Sequence, residues 1–186
     1  MREGISFMKK KYPLALSQRK QLREKSNPFL RHFMPVELGK KDESSMKILV
    51  SACLLGCSCR YDGKSKMNEQ VLALKSCHTL IPVCPEQLGG LSTPRLPAEI
   101  QGNRVIRKDG ADVTAEYLKG AREALRLYEL LSCDCALLKA RSPSCGKGII
   151  YDGTFSGAFT KGHGITAALF QEKGIQVFTE EETEKI

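Results

Sequence analysis

Three short apolar runs constrain this chain more than any other feature: Lys47-Ile-Leu-Val-Ser-Ala52, Thr79-Leu-Ile-Pro-Val83 and Cys135-Ala-Leu-Leu-Lys-Ala140. Each has the length and continuity of a strand buried on both faces, and helical patterns lie between them, so the chain reads as parallel βαβ units. A cysteine follows each run: Cys53 after the first, Cys84 after the second, and Cys145 in the loop beyond the third. Neighbouring parallel strands open their carboxyl ends onto one crevice, where open α/β folds bind ligands. Three thiolates would meet there as a trigonal ligand set for a metal or an iron–sulfur cluster, with one coordination position left open.

The remaining pattern fits a three-layer Rossmann-like α/β sandwich with a mostly parallel sheet. Residues 67–77 read as a short helix, and Ile100 to Arg107 as a small hairpin arm. Val113, Tyr117, Ala121, Leu125, Tyr128 and Leu131 recur at spacings of three and four, which predicts an amphipathic helix over 113–131 capped by Thr114 or Asp112. Ile149 to Tyr151 is a short apolar stretch, Gly164 to Lys173 a helix ended by Gly174, and Ile175 to Thr179 a last strand. Gly89-Gly90 with Pro94 and Pro97 enforces an irregular loop after Cys84. Residues 1–45 carry Pro13, Pro28 and Pro35 and no sustained period, which predicts a flexible basic extension before a single domain over 46–186.

Charge divides along the same boundary. Of the net +8, residues 1–45 hold +6, so the body is nearly neutral and suits a small-molecule enzyme better than a nucleic-acid binder. No apolar run approaches the roughly 18 to 20 residues that span a bilayer. Eight cysteines without a secretory signal point to free, metal-bound or catalytic thiols in a reducing cytoplasm, not to a disulfide framework.

The loops after the three runs hold the chemistry. In Cys84-Pro-Glu-Gln-Leu-Gly-Gly-Leu-Ser-Thr-Pro-Arg95, Glu86 is within reach of anything bound at Cys84 and is a candidate general acid or base, the bland alternative being a pair with Arg95. Ser142 and Ser144 bracket Pro143 just before Cys145, where they can donate hydrogen bonds or simply shape a turn. Lys147 between two glycines could hold an anion, but it lacks the spacing of a P-loop. Cys57 and Cys59 are too close in sequence for the usual zinc knuckle and read as loop thiols. Cys77, Cys133 and Cys135 read as packing residues, His78 and His163 as surface or core histidines.

Taken in order, Ser-Ala-Cys-Leu-Leu-Gly, Cys-Arg-Tyr-Asp-Gly, Cys-Pro-Glu-x-x-Gly-Gly-Leu-x-x-Pro-Arg, Ser-Pro-Ser-Cys-Gly and Gly-His-Gly-Ile-Thr-Ala-Ala-Leu resemble the thiouracil desulfurase (TudS) family over about residues 46–180. The resemblance implies a 4Fe-4S cluster held by Cys53, Cys84 and Cys145, with the fourth iron free for the sulfur of a thiolated uracil. It further implies assistance from Glu86 and from Ser142 or Ser144, in a desulfuration without net electron transfer that releases hydrosulfide. His163 departs from the family's usual Asp. The expected partner is a small thiolated pyrimidine, with no membrane. The rival is a non-catalytic iron–sulfur or zinc protein in which Cys57 or Cys59 supplies a fourth ligand.

Overall fold

The computed structural model describes residues 44–186, so the expected flexible extension over 1–45 lies, apart from its last two residues, outside the described residues. In chain order the elements are β1 Lys47–Ser51, α1 Glu69–Ala73, β2 Thr79–Val83, α2 Pro85–Leu88, β3 Ala98–Gln101, β4 Arg104–Arg107, α3 Thr114–Leu130, β5 Cys135–Leu138, β6 Ile149–Tyr151, β7 Phe159–Lys161, α4 Ile165–Glu172 and β8 Val177–Thr179. One four-stranded sheet runs β2-β1-β5-β8 with every pairing parallel, as the apolar runs predicted. Residues of β1 pair in register on both sides, Ile48 with Leu80 and with Cys135.

Alternation along β1 separates two cores. Ile48 and Val50 face Val71 of α1, together with Leu137 and Phe178, whereas Leu49 faces Ala124 of α3 and Ala167 and Phe170 of α4. Helix on one side, sheet, and two helices on the other make the three-layer, Rossmann-like arrangement. Each fully buried aliphatic side chain contributes roughly 1.5–3 kcal/mol. Because β1 sits between β2 and β5, the chain leaves it in one direction and later returns on the other side, which opens a crevice at the carboxyl edge.

Three expectations change in detail. The helix over 67–77 is α-helical only from Glu69 to Ala73, capped by Asn68, whose side chain accepts from the Val71 N–H at 3.0 Å, and then tightens into a 3₁₀ turn over Leu74–Ser76. β6 does not join the sheet: it pairs antiparallel with β7, whose residues are all exposed and so carry no burial pattern to betray a strand. Within the loop after Cys84, Pro85 starts a single helical turn, since proline suits the first helical position. The long helix and the hairpin form where expected, but the N-cap position of α3 falls to Val113, which makes no side-chain cap bond, while Asp112 accepts from the Thr114 N–H at 3.0 Å. No helix among the described residues is long and apolar enough to cross a membrane.

Candidate active site

The carboxyl ends of β1, β2 and β5 open onto a crevice of about 530 Å³ that holds Cys53, Cys84, Cys145, Glu86 and Ser142 in its wall. Cys53 rides on a 3₁₀ turn, Ala52–Leu55, stopped by Gly56 in the left-handed region at φ 96°. Its carbonyl accepts from Lys66 N–H at 2.9 Å, which ties the following loop back to the turn. Cys84 caps α2. That turn is pressed onto α3 through two glycines: a Cβ at Gly120 would lie 1.9 Å from the Pro85 carbonyl oxygen, and one at Gly89 would lie 2.2 Å from that of Glu116.

Cys145 is fixed by its own loop. The Ser142 hydroxyl oxygen accepts from the N–H groups of Ser144 and Cys145, each at 3.1 Å. The carbonyls of Pro143 and Ser144 accept the N–H groups of Ile165 and Thr166, so the loop caps α4 while α4 anchors the loop. Ser144, 1% exposed, lies behind the wall, its hydroxyl 3.0 Å from that of Thr166.

Glu86 has both features weighed for it, the crevice and the ion pair. One of its oxygens accepts from Arg95 Nε at 2.8 Å and Nη2 at 2.6 Å. Arg95 also donates to the carbonyls of Cys59 and Ser92, so one buried guanidinium joins the loops after β1 and β2. The Tyr117 phenol reaches the same carboxylate from α3, and burial foremost pushes its pKa up. The apolar spacing that marks Tyr117 as a core residue gives no sign of this polar tip, although a buried tyrosine hydroxyl ordinarily has a partner.

Two further residues enter the site: Cys59, which the sequence offered only as a fourth ligand in the rival reading, and Ser51, which it did not mark. Cys59 is buried and lines the crevice with Cys53 and Cys84, its carbonyl accepting from the Cys84 thiol at 3.8 Å, whereas Cys57 is exposed as a loop thiol should be. Ser51, the last residue of β1, reaches the Cys145 thiol. The thiols of Cys59, Cys84 and Cys145 sit in surroundings that oppose ionisation. The contact with Cys53 foremost, then burial, raises Cys59 to about 11; the contact with Cys59 and then burial push Cys84 well up; burial takes Cys145 to about 12.

Elsewhere the bland expectations and the structure compare residue by residue. Lys147 holds no anion in reserve: it is paired with Glu182 at 2.9 Å. Cys77 is exposed where packing was expected, because the helix before it ends in a surface 3₁₀ turn; Cys133 and Cys135 are buried. His78 and His163 accept backbone N–H groups of Met46 and Gly148, at 3.2 Å each.

A parallel α/β sheet with a thiol-lined crevice at its switch point defines a protein of the Rossmann-like class. The chain belongs to the 2-thiouracil desulfurase family, whose model matches residues 48–182. It is 42% identical over 149 residues to the uncharacterized protein YbbK of Bacillus subtilis (strain 168), covering 75% of this chain and 99% of that protein. Among solved structures it is similar to a 4Fe-4S-dependent thiouracil desulfidase, TudS, with a TM-score of 0.70, 47% identity, and coverage of 76% of this chain and 95% of that one.

Proposed function

We propose that this enzyme of the thiouracil-desulfurase kind hydrolyses the carbon–sulfur bond of a thiolated uracil, using a 4Fe-4S cluster held by Cys53, Cys84 and Cys145. The observation that carries the reading is the meeting of those thiols with Glu86 around one crevice. The donor set fits a cluster. Among the described residues no three Cys, His, Asp or Glu side chains form a ready single-ion site, while Cys53, Cys84 and Cys145 share the wall of one crevice. Soft thiolates favour iron–sulfur centres, and buried thiols that resist ionisation release their protons to a strongly cationic partner.

When bound through three cysteines, the cluster supplies a Lewis-acidic iron with a position free for a thiocarbonyl sulfur. Arg95 and Tyr117 orient the Glu86 carboxylate, which takes a proton from the attacking water. The Ser142 oxygen already accepts two N–H groups, and its O–H remains free to donate a hydrogen bond to the departing sulfur, which keeps the second hydrogen of the water while Glu86 holds the first. Ser144 holds the Cys145 thiol from behind. Water oxygen replaces sulfur at the ring carbon, the sulfur leaves as hydrosulfide, and no electrons are transferred.

The test is anaerobic reconstitution with iron and sulfide, followed by assay of hydrosulfide release from 2- and 4-thiouracil. Wild type releases it; Cys53→Ala, Cys84→Ala and Cys145→Ala each lose the brown absorption and the activity. A cluster-loaded wild type that releases no sulfide from any thiolated uracil derivative sinks the reading. Cys59, which lines the same crevice and whose carbonyl accepts the Cys84 thiol, favours one rival: a closed four-cysteine site that stores or senses iron or sulfur. Cys59→Ala keeps its iron on the open-site reading and loses it as Cys84→Ala does on the closed one.

A further inference from the structure

The hairpin β3–β4 and the loop joining β6 to β7 stand outside the main sheet, yet both reach the crevice mouth, one through Ala98 and Glu99, the other through Tyr151, Phe155 and Gly157. We propose that Phe155 is the stacking surface for the pyrimidine ring of the substrate, and that Glu99 is the positioning residue that presents it. The inference rests on the desulfuration reading, which is what brings a planar ring into the crevice.

Glu99 is a carboxylate buried to 7% exposure that pairs with backbone and not with a cation: one oxygen accepts from Gly153 N–H at 2.9 Å and Phe155 N–H at 3.0 Å. Gln101, two residues along the same strand face, donates to the Gly153 carbonyl. The loop is drawn so close to the hairpin that a Cβ at Gly153 would lie 2.5 Å from the Ile100 carbonyl oxygen. Asp152 then closes the turn by accepting from the Thr154 N–H and hydroxyl. A buried charge and a glycine contact are thus committed to setting the backbone of one loop.

What that backbone carries is an aromatic residue in a conformation that side chains avoid. Phe155 has φ 57°, in the left-handed region, where the neighbouring Gly153 and Gly157 sit without penalty. Core packing does not account for it, because the half-buried ring belongs to none of the three apolar clusters. The other aromatics of the crevice are engaged: Tyr117 with Glu86, Tyr151 with the Phe159 ring at 5.0 Å, Tyr61 beneath the Arg60 guanidinium at 5.5 Å. Phe155, which has no polar tip to engage, has no ring or cation partner in the described residues. Strain held in place by buried hydrogen bonds collects at ligand sites, and an unpaired aromatic face is what a flat heterocycle stacks on.

The experiment uses the full chain, loaded with its cluster, and reads both kinetics and binding of uracil, the desulfurated ring, by equilibrium dialysis. Phe155→Ala weakens uracil binding and raises KM roughly 10-fold, with a smaller change in kcat, because stacking holds ground state and transition state alike. Phe155→Tyr restores both. Glu99→Ala moves KM the same way without altering iron content, and Glu99→Gln, which keeps an acceptor for the two N–H groups, recovers most of the loss. Unchanged KM and uracil binding in Phe155→Ala, or a fall in kcat alone, overturns the inference while an active wild type leaves the desulfuration reading standing. An inactive wild type whose uracil binding still depends on Phe155 gives the converse.

Discussion

At the scale of single residues the proposed chemistry turns on a carboxylate clamped by one guanidinium. Glu86→Gln keeps the shape and loses the capacity to accept a proton, so hydrosulfide release is expected to fall by at least roughly 100-fold with near-normal iron, as measured by parallel iron and sulfide assays. Ser142→Ala should resemble it. Ser144→Ala, behind the wall against Thr166, is expected to lower the melting temperature more than the rate. Cys53 and Cys84 were legible in the sequence because each follows closely on a strand whose end fixes its place, and one sheet gathers the ends; Cys145, well beyond β5, takes its place from the Ser142 loop. Cys59 was legible only as one of two loop thiols offered to the rival site: its place depends on how the loop after Gly56 returns, and a cysteine in a loop carries no period to read. Tyr117 and Ser51 were hidden differently, inside elements whose pattern reports burial and says nothing of what a hydroxyl at the buried end touches.

Among elements, the contact that sets the site is the one between α2 and α3. Gly120 lies mid-helix, where glycine costs about 1 kcal/mol relative to alanine, so a helix-propensity argument alone favours replacing it. The structure predicts the opposite outcome. In Gly120→Ala the new methyl meets the Pro85 carbonyl, α2 has to move off α3, and Cys84 and Glu86 move with it. We expect a loss of about 2 kcal/mol or more by denaturant unfolding, together with weakened iron retention. The parallel sheet and the long helix could be read from apolar patterns, since β1 and β5 are buried nearly throughout and the helix buries one face; β2 proves an edge strand buried only at Val83. β6–β7 could not, because an exposed two-stranded ribbon answers to its turn and its partner and leaves the sequence free. Nor could the single turn of α2, whose length is set by Gly89 meeting α3.

Over the whole molecule, the last residues are clipped back onto the cysteine loop through Glu182. Burial opposes its charge, yet bonds from Lys147, Lys185 and the Thr179 N–H outweigh that and hold its pKa at about 2 against an ordinary 4.5. A depressed carboxylate stabilises the fold above its unfolded value and ceases to as pH falls through its folded one, so this contribution, on the order of 2 kcal/mol, drains away between about pH 4.5 and pH 2. Thermal melts across that window should steepen in wild type and flatten in Glu182→Gln. The sheet order has a further consequence for how such an enzyme comes into being. Cys53, Cys84 and Cys145 follow three different strands, and nothing brings them together until β2, β1 and β5 have paired. If they hold iron as proposed, the cofactor cannot nucleate the chain around itself as zinc does in a finger. Maturation then runs in one order, the polypeptide first and the iron after it, and a cell starved of iron stockpiles a finished, colourless protein that ripens on delivery instead of a chain left open to proteases.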